Sequence, residues 1–247
     1  MKILVSNDDG IFAPGIAALV RALDAAGHEV YVCAPDSQRS AASHSLTISK
    51  PMTVKPEAFD GAKEAYAIGG TPADCVKIGL EKLCPQAEAV ISGINRGYNA
   101  GSDILYSGTV GAAMEGALCG RQAIAVSIHH TREDNYDQAA QLALEGLSLI
   151  GRQPLPRYAV LNLNYPAADR ALGLKAARMA PLHYVESYIP CEMPDGTSAY
   201  RLGGEPDLSR LYPDSDFELL CRGYATATVL TYNMTDERAT KTIEALI

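Results

Sequence analysis

Lys2-Ile3-Leu4-Val5-Ser6-Asn7-Asp8-Asp9-Gly10 is the stretch whose reading decides the fold. An unbroken apolar run of this kind suits the centre of a parallel sheet covered on both faces, where alternation is lost. The run breaks at Asn7-Asp8-Asp9-Gly10, so a pair of carboxylates leaves the carboxyl end of the first strand. Open α/β sheets bind their ligands at that edge. Two adjacent like charges repel unless something neutralises them, and a divalent cation is the usual answer. The stretch therefore predicts both a doubly wound sheet and a hard-metal site.

Downstream the pattern alternates. Pro14 opens a helix running to about Ala26, with Ile16, Leu19, Val20 and Leu23 on one face and Gly27 as its stop. Glu29 to Ala34 reads as the next strand, in a right-handed parallel crossover. A serine-rich polar loop spans Asp36 to Ser45, and Leu46 to Val54 and Glu64 to Ile68 read as short strands. Thr71 caps a helix opened by Pro72, and Ala89 to Ser92 is another buried strand. A glycine-rich loop leads to a small-sided helix from about Thr109 to Cys119, followed by a strand over Ala123 to Ile128 and a helix over Tyr136 to Ile150. This alternation defines an α/β fold with a Rossmann-like, three-layer parallel-sheet core.

Beyond residue 157 the periodicity weakens. Tyr158 to Leu163 and Thr226 to Thr231 read as strands, and Thr235 as the cap of a short terminal helix. Tyr184 to Arg201 reads as an extended hairpin around Pro194-Asp195-Gly196. The expected organisation is a metal- and phosphate-binding core over residues 1–157, with residues 158–247 completing that core and adding a hairpin near residues 183–203 and a C-terminal tail, all in one structural domain. A hairpin with little core of its own needs a partner surface, so the chain is expected to self-associate.

Composition narrows the class. The chain has 247 residues, 47% hydrophobic and 20% charged, with a formal net charge of −8. That acidity argues against a nucleic-acid polymer as partner. No apolar run approaches the ~18 residues of a membrane span and no signal peptide precedes the first strand, so a cytoplasmic, membrane-free protein is expected. The six cysteines lack any Cys-x-x-Cys and are expected as buried, reduced thiols.

Five segments should meet at the carboxyl edge: the Asn7–Gly10 turn, the loop around Ser40, Gly69-Gly70-Thr71, Asn95 among its glycines, and Ser107-Gly108-Thr109. Asp8, Asp9, Ser40 and the Asn95 carbonyl form an all-oxygen set suited to Mg²⁺, Mn²⁺ or Ca²⁺ rather than zinc. Ser107, Gly108 and Thr109 stand at a helix N-terminus, with free N–H groups and two hydroxyls facing a phosphate-sized anion. Metal beside phosphate points to phosphoester hydrolysis by metal-activated water. Each element also has a purely structural explanation: Asp8 and Asp9 as turn residues, Asn95 as a left-handed turn residue, Ser107 as an N-cap. A P-loop is excluded, because no Lys and hydroxyl follow the Gly93–Gly97 or Gly97–Gly101 spacing.

These motifs resemble a known family. Ser6-Asn7-Asp8-Asp9-Gly10, Ala34-Pro35-Asp36, Arg39-Ser40, Gly70-Thr71-Pro72-Ala73-Asp74, Ser92-Gly93-Ile94-Asn95 and Tyr106-Ser107-Gly108-Thr109-Val110-Gly111 are similar to the SurE survival-protein family of 5'-nucleotidases, densely over roughly the first 130 residues. The resemblance implies a metal-dependent phosphohydrolase of nucleoside monophosphates, with possible 3'-nucleotidase and exopolyphosphatase activity. It implies one Mg²⁺ or Mn²⁺ per subunit on Asp8, Asp9, Ser40 and Asn95, catalysis centred on Asp8, Asp9 and Asn95, and a swapped C-terminal tail giving homodimers or homotetramers. Asn7 and Asn99 join Ser107, Gly108 and Thr109 as expected phosphate donors. The loop at Ser43-His44 departs from the glycine-bearing form common in the family, and His44 is either a leaving-group assistant or structural. A covalent aspartyl-phosphate on Asp8 or Asp9, and a nucleotide-sensing module without turnover, are the rival readings.

Overall fold

The carboxyl ends of two adjacent strands, β1 (Lys2–Ser6) and β5 (Ala89–Arg96), form the centre of the molecule in the computed structural model, which describes residues 1–247. Helix α1 (Pro14–Ala25) leads from β1 to its parallel neighbour β2 (Glu29–Pro35). Beyond β2 lie β4 (Glu64–Ile68), parallel, and then β3 (Val54–Glu57), antiparallel. Helix α2 (Pro72–Ile78) returns the chain to β5. On the other side α3 (Gly108–Leu118), β6 (Gln122–Ile128), α4 (Tyr136–Arg152) and β7 (Ala159–Tyr165) continue the parallel winding.

Three further segments follow. These are β8 (Leu174–Ala176), an arm comprising β9 (Tyr184–Val185), β10 (Tyr188–Glu192), β11 (Ser198–Leu202) and β12 (Glu205–Pro206), and, after α5 (Asp216–Cys221), strand β13 (Ala225–Thr231). Of these, β8 and β13 complete the main sheet, and the arm pairs only within itself, as β10 with β11 and β9 with β12. The nine-stranded order is β3-β4-β2-β1-β5-β6-β7-β13-β8, with β13 antiparallel to β7. The winding reverses between β1 and β5, which makes their carboxyl ends the switch-point crevice of the sheet. A final helix, α6 (Glu237–Glu244), has no buried residue.

The two faces are packed differently, and the difference serves the site. Ile16, Leu19 and Leu23 of α1 join Leu142 and Leu147 of α4 in a core of large side chains. Each such burial stabilises by about 1.5–3 kcal/mol. On the opposite face α3 presents glycines and alanines, so its backbone lies against the sheet: a Cβ on Gly116 would stand 2.6 Å from Val90 Cγ2. That closeness sets the N-terminus of α3 directly over the ends of β1 and β5.

Several expectations need correction. Residues 46–53 are not a strand. They run irregularly across the N-terminus of α2, because the backbone N–H of Thr47 is captured by Asp74, and only Val54–Glu57 pairs. The terminal helix is capped by Asp236, whose side chain accepts from Ala239 N, not by Thr235. All six cysteines are free, but Cys191 and Cys221 are exposed, because the hairpin and the short α5 leave one side to solvent. The hairpin is present as β10 and β11, with Gly196 in the turn at φ +83°. No helix is long and apolar enough to cross a membrane.

Candidate active site

The site is built where β1 ends. Asn7 closes the turn on itself: its amide donates to Gly10 O at 2.8 Å, and its Oδ1 accepts from Gly10 N at 3.2 Å. The turn thus fixes Asp8 and Asp9 in different surroundings. Asp8 is 5% exposed, with Oδ1 accepting the Thr109 hydroxyl at 2.6 Å. Burial, aided by the charge on Asp9, pushes the Asp8 carboxyl up to about 6 against the lowering effect of Thr109. Asp9 is also raised by burial, partly offset by the Arg96 N–H that donates to its Oδ2 at 3.2 Å. Burial thus works against the charged form of both acids, more strongly at Asp8 than at Asp9, which also has the Arg96 charge nearby.

Asn95 arrives from β5 through a register shift between Ser92 and Asn95, an irregularity that re-aims side chains beside functional sites. Its amide nitrogen donates to Gly97 O at 2.7 Å, which leaves the carbonyl oxygen as its free end. Arg39 N donates to Asp8 O at 2.7 Å, which ties the loop bearing Ser40 to the backbone of the acid turn. Ser40 itself is exposed, with Oγ accepting from Gln38 at 2.9 Å. No cluster of three or more His, Cys, Asp or Glu side chains exists, so neutral oxygens must complete any shell begun by Asp8 and Asp9. Beneath them the cross-strand pair Ser6 and Ser92 holds two buried hydroxyls with no hydrogen-bond partner. Two desolvated acids, an unengaged amide carbonyl and orphaned hydroxyls fit a hard divalent cation better than any apolar ligand.

The N-terminus of α3 contributes differently from expectation. Ser107 caps it, with Oγ accepting Val110 N at 3.0 Å, and its hydroxyl hydrogen stays available to a ligand. Gly108 is a close approach: a Cβ there would lie 2.9 Å from Asp8 Cβ and 3.0 Å from Asp8 Oδ2. Thr109 is fully buried and directs its hydroxyl to Asp8, so that hydroxyl orients an acid. Asn99 is likewise committed inside the fold. Its amide donates to Ser127 Oγ at 2.8 Å, its N–H donates to Asn164, and its carbonyl accepts from Asn162 and Asn164. Asn7 and Asn99 thus shape the walls of the crevice.

Sequence reasoning singled out His44 but not its partners Glu115 and Lys77. Glu115 of α3 is buried and accepts from Lys77 Nζ at 2.7 Å and from His44 Nε2 at 2.9 Å. His44, chiefly by its hydrogen bond, and Lys77 hold the Glu115 carboxyl down at about 2. A lone acid in a helix otherwise made of small residues was the available signal. The loop bearing His44 has Ala41 and Ser43 at φ +56° and +54°. That left-handed conformation costs roughly 1 kcal/mol or more per non-glycine residue.

Taken together, the crevice defines an α/β protein with an acid-paired, oxygen-donor site at the switch point of its sheet. A family model described as Survival protein SurE matches residues 3–186. The chain is 42% identical over 242 residues to the 5'-nucleotidase SurE of Gloeobacter violaceus, covering 96% of this chain and 92% of that protein. It is 41% identical over 250 residues to the 5'-nucleotidase SurE of Pelotomaculum thermopropionicum, covering 100% and 95%. Among solved structures, the SurE protein from Aquifex aeolicus matches with a TM-score of 0.86 and 33% identity, covering 100% of this chain and 99% of that one. The chain belongs to the SurE family.

Proposed function

We propose that this protein is a metal-dependent 5'-nucleotidase, a phosphoric monoester hydrolase that converts nucleoside monophosphates to nucleoside and phosphate. What supports the reading most is Asp8 held against the first turn of α3, with Asp9 on the backbone of Arg96 and, next to it in the chain, an Asn95 side-chain carbonyl that no hydrogen bond engages. The relatives named 5'-nucleotidase, similar over nearly the whole chain, support it.

One divalent ion per subunit, Mg²⁺ or Mn²⁺, would be held by Asp8, Asp9, Asn95 and Ser40, where it supplies Lewis-acid stabilisation of phosphoryl charge and makes hydroxide accessible near neutral pH. The rest falls to the chain. Thr109 fixes the rotamer of Asp8 and favours its ionised form. Arg96 N–H does the same for Asp9. The first turn of α3 turns its positive end to the crevice, with the Ser107 hydroxyl as donor to a phosphoryl oxygen. Gly108 keeps that turn free of a side chain, so a phosphate can lie against backbone. With phosphorus held in line, displacement needs positioning and charge stabilisation more than a covalent nucleophile. The same geometry would accept 3'-nucleotides and short polyphosphate, whose terminal phosphates present the same oxygens.

The C-terminal part is proposed as an assembly device for a homodimer or homotetramer. Tyr188, Met193, Tyr200 and Leu202 of the arm, and Ile243, Leu246 and Ile247 at the end of the chain, are exposed apolar side chains that a second copy would cover.

The reading is tested by phosphate release from a panel of 5'- and 3'-nucleotides and triphosphate, with Mn²⁺, with Mg²⁺ and with EDTA. Release that requires metal and ranks the 5'-monophosphates first supports it. A folded, metal-loaded protein that releases no phosphate from any of them contradicts it. Acid quench during turnover separates direct hydrolysis, which leaves no labelled protein, from an aspartyl-phosphate route.

A further inference from the structure

We infer that Glu115 is a positioning residue: through His44 it seats the loop of residues 36–47 on α3 and so holds Ser40 beside Asp8. The inference rests on the metal site proposed above. That loop joins β2 to the α2 side of the crevice, and its ends are fixed independently of its middle. At the near end Arg39 N donates to Asp8 O at 2.7 Å. At the far end Thr47 N is held by Asp74 and Ser45 O accepts the Thr71 hydroxyl at 2.7 Å. Between them Ala41 and Ser43 adopt left-handed backbone, a shape that persists only when surrounding contacts over-determine it.

The contacts of the middle are directed at α3 and the segment before it. Ser43 donates its hydroxyl to Leu105 O at 2.7 Å and its N–H to Tyr106 O at 3.1 Å. Gly111 makes room, since a Cβ there would stand 2.6 Å from Ser43 O. The one side chain of the loop that hydrogen-bonds a side chain of α3 is His44, on the buried carboxylate of Glu115. That carboxylate is 6% exposed, whereas the His44 ring is 32% exposed, so the acid is the fixed post and the imidazole the movable part. Glu115 also takes Lys77 from α2. One carboxylate therefore ties together the helix that carries Ser107, the helix that clamps the far end of the loop, and the loop that carries Ser40. Groups that orient metal-binding side chains without touching the metal typically change affinity by about 10–100-fold when removed.

The test compares His44→Ala with His44→Gln, whose amide restores a donor to Glu115. Three quantities are read: Mn²⁺ affinity from free-Mn²⁺ electron paramagnetic resonance, hydrogen exchange of the amides of residues 39–47, and kcat against KM at saturating Mn²⁺. The expected result is a roughly 10-fold weaker Mn²⁺ affinity in His44→Ala. Loop exchange should be faster, kcat at saturating Mn²⁺ should change much less than the affinity, and His44→Gln should recover most of the loss. Unchanged Mn²⁺ affinity and loop exchange in His44→Ala overturn the inference while leaving the metal site standing. A fall in kcat at saturating Mn²⁺ with unchanged affinity also overturns it, and makes His44 a participant in leaving-group departure. Failure of the unaltered protein to bind Mn²⁺ at all removes the metal reading and this inference with it.

Discussion

Thr109 donates its hydroxyl to Asp8 Oδ1 across 2.6 Å, joining residues 101 positions apart and docking the start of α3 on the exit of β1. A hydrogen bond to a charged group contributes about 1.5–3 kcal/mol. Thr109→Val keeps the shape and removes the donor. Its kcat/KM for a nucleoside monophosphate should fall about 10–100-fold, with circular dichroism unchanged and Tm lowered by several degrees. Thr109→Ser should retain most activity.

Two glycines of α3 separate function from stability. Gly108→Ala forces a methyl to 2.9 Å from Asp8 Cβ and 3.0 Å from Asp8 Oδ2; because Cβ moves only with the backbone, the turn at the end of β1 must shift and Asp8 loses its aim, so activity should drop more than stability. Gly116→Ala drives a methyl to 2.6 Å from Val90 in the core. Overpacking of that kind costs about 1–3 kcal/mol. Urea midpoints and turnover measured on both variants should show opposite profiles.

Glu115 predicts a pH signature. Its carboxyl is depressed to about 2 in the folded protein by His44 and Lys77, so its contribution to stability is present above its unfolded value. That contribution is lost as pH falls through the folded value. Glu115→Gln should therefore be less stable than the unaltered protein at neutral pH, by up to a few kcal/mol. The gap should narrow between about pH 4.5 and pH 2. Urea midpoints taken across that range check the sign, and a gap that widens on acidification would contradict it.

Metal should stabilise the fold. Asp8 and Asp9 are desolvated acids whose charges disfavour each other, and a bound cation removes that penalty. Saturating Mn²⁺ should raise Tm by several degrees, as expected when ligand is present at about 100 times its Kd. Addition of EDTA should reverse the shift. An unchanged Tm in the presence of metal would count against the site.

Much of this was legible in the chain because the signals are local. The apolar run ending in Asp8-Asp9 placed β1 and the site edge, since a buried strand and its break are both written in consecutive residues. Ser107 and Thr71 were readable as caps, and both are. The roles of Thr109 and Asn99 were not legible. Thr109 looks like any hydroxyl at a helix start, and only the fold brings Asp8 to it before a ligand can come near. Asn99 is expected from the sequence as a phosphate donor, and nothing local reveals that its amide and backbone also bond Ser127, Asn162 and Asn164, partners supplied by strands that follow it by 28 to 65 residues. The Glu115–His44 contact spans 71 residues, and no spacing rule reveals it.

Asp9→Asn gives the most direct test of the claim that this crevice is a metal-dependent hydrolytic site. The amide oxygen can still accept from Arg96 N–H, so the loop contact survives while the charge is lost. Metal-dependent phosphate release and the Mn²⁺-induced rise in Tm are measured on the same folded sample. The account predicts that both disappear with secondary structure intact. An Asp9→Asn protein that releases phosphate at the unaltered rate, with the same metal response, would contradict it.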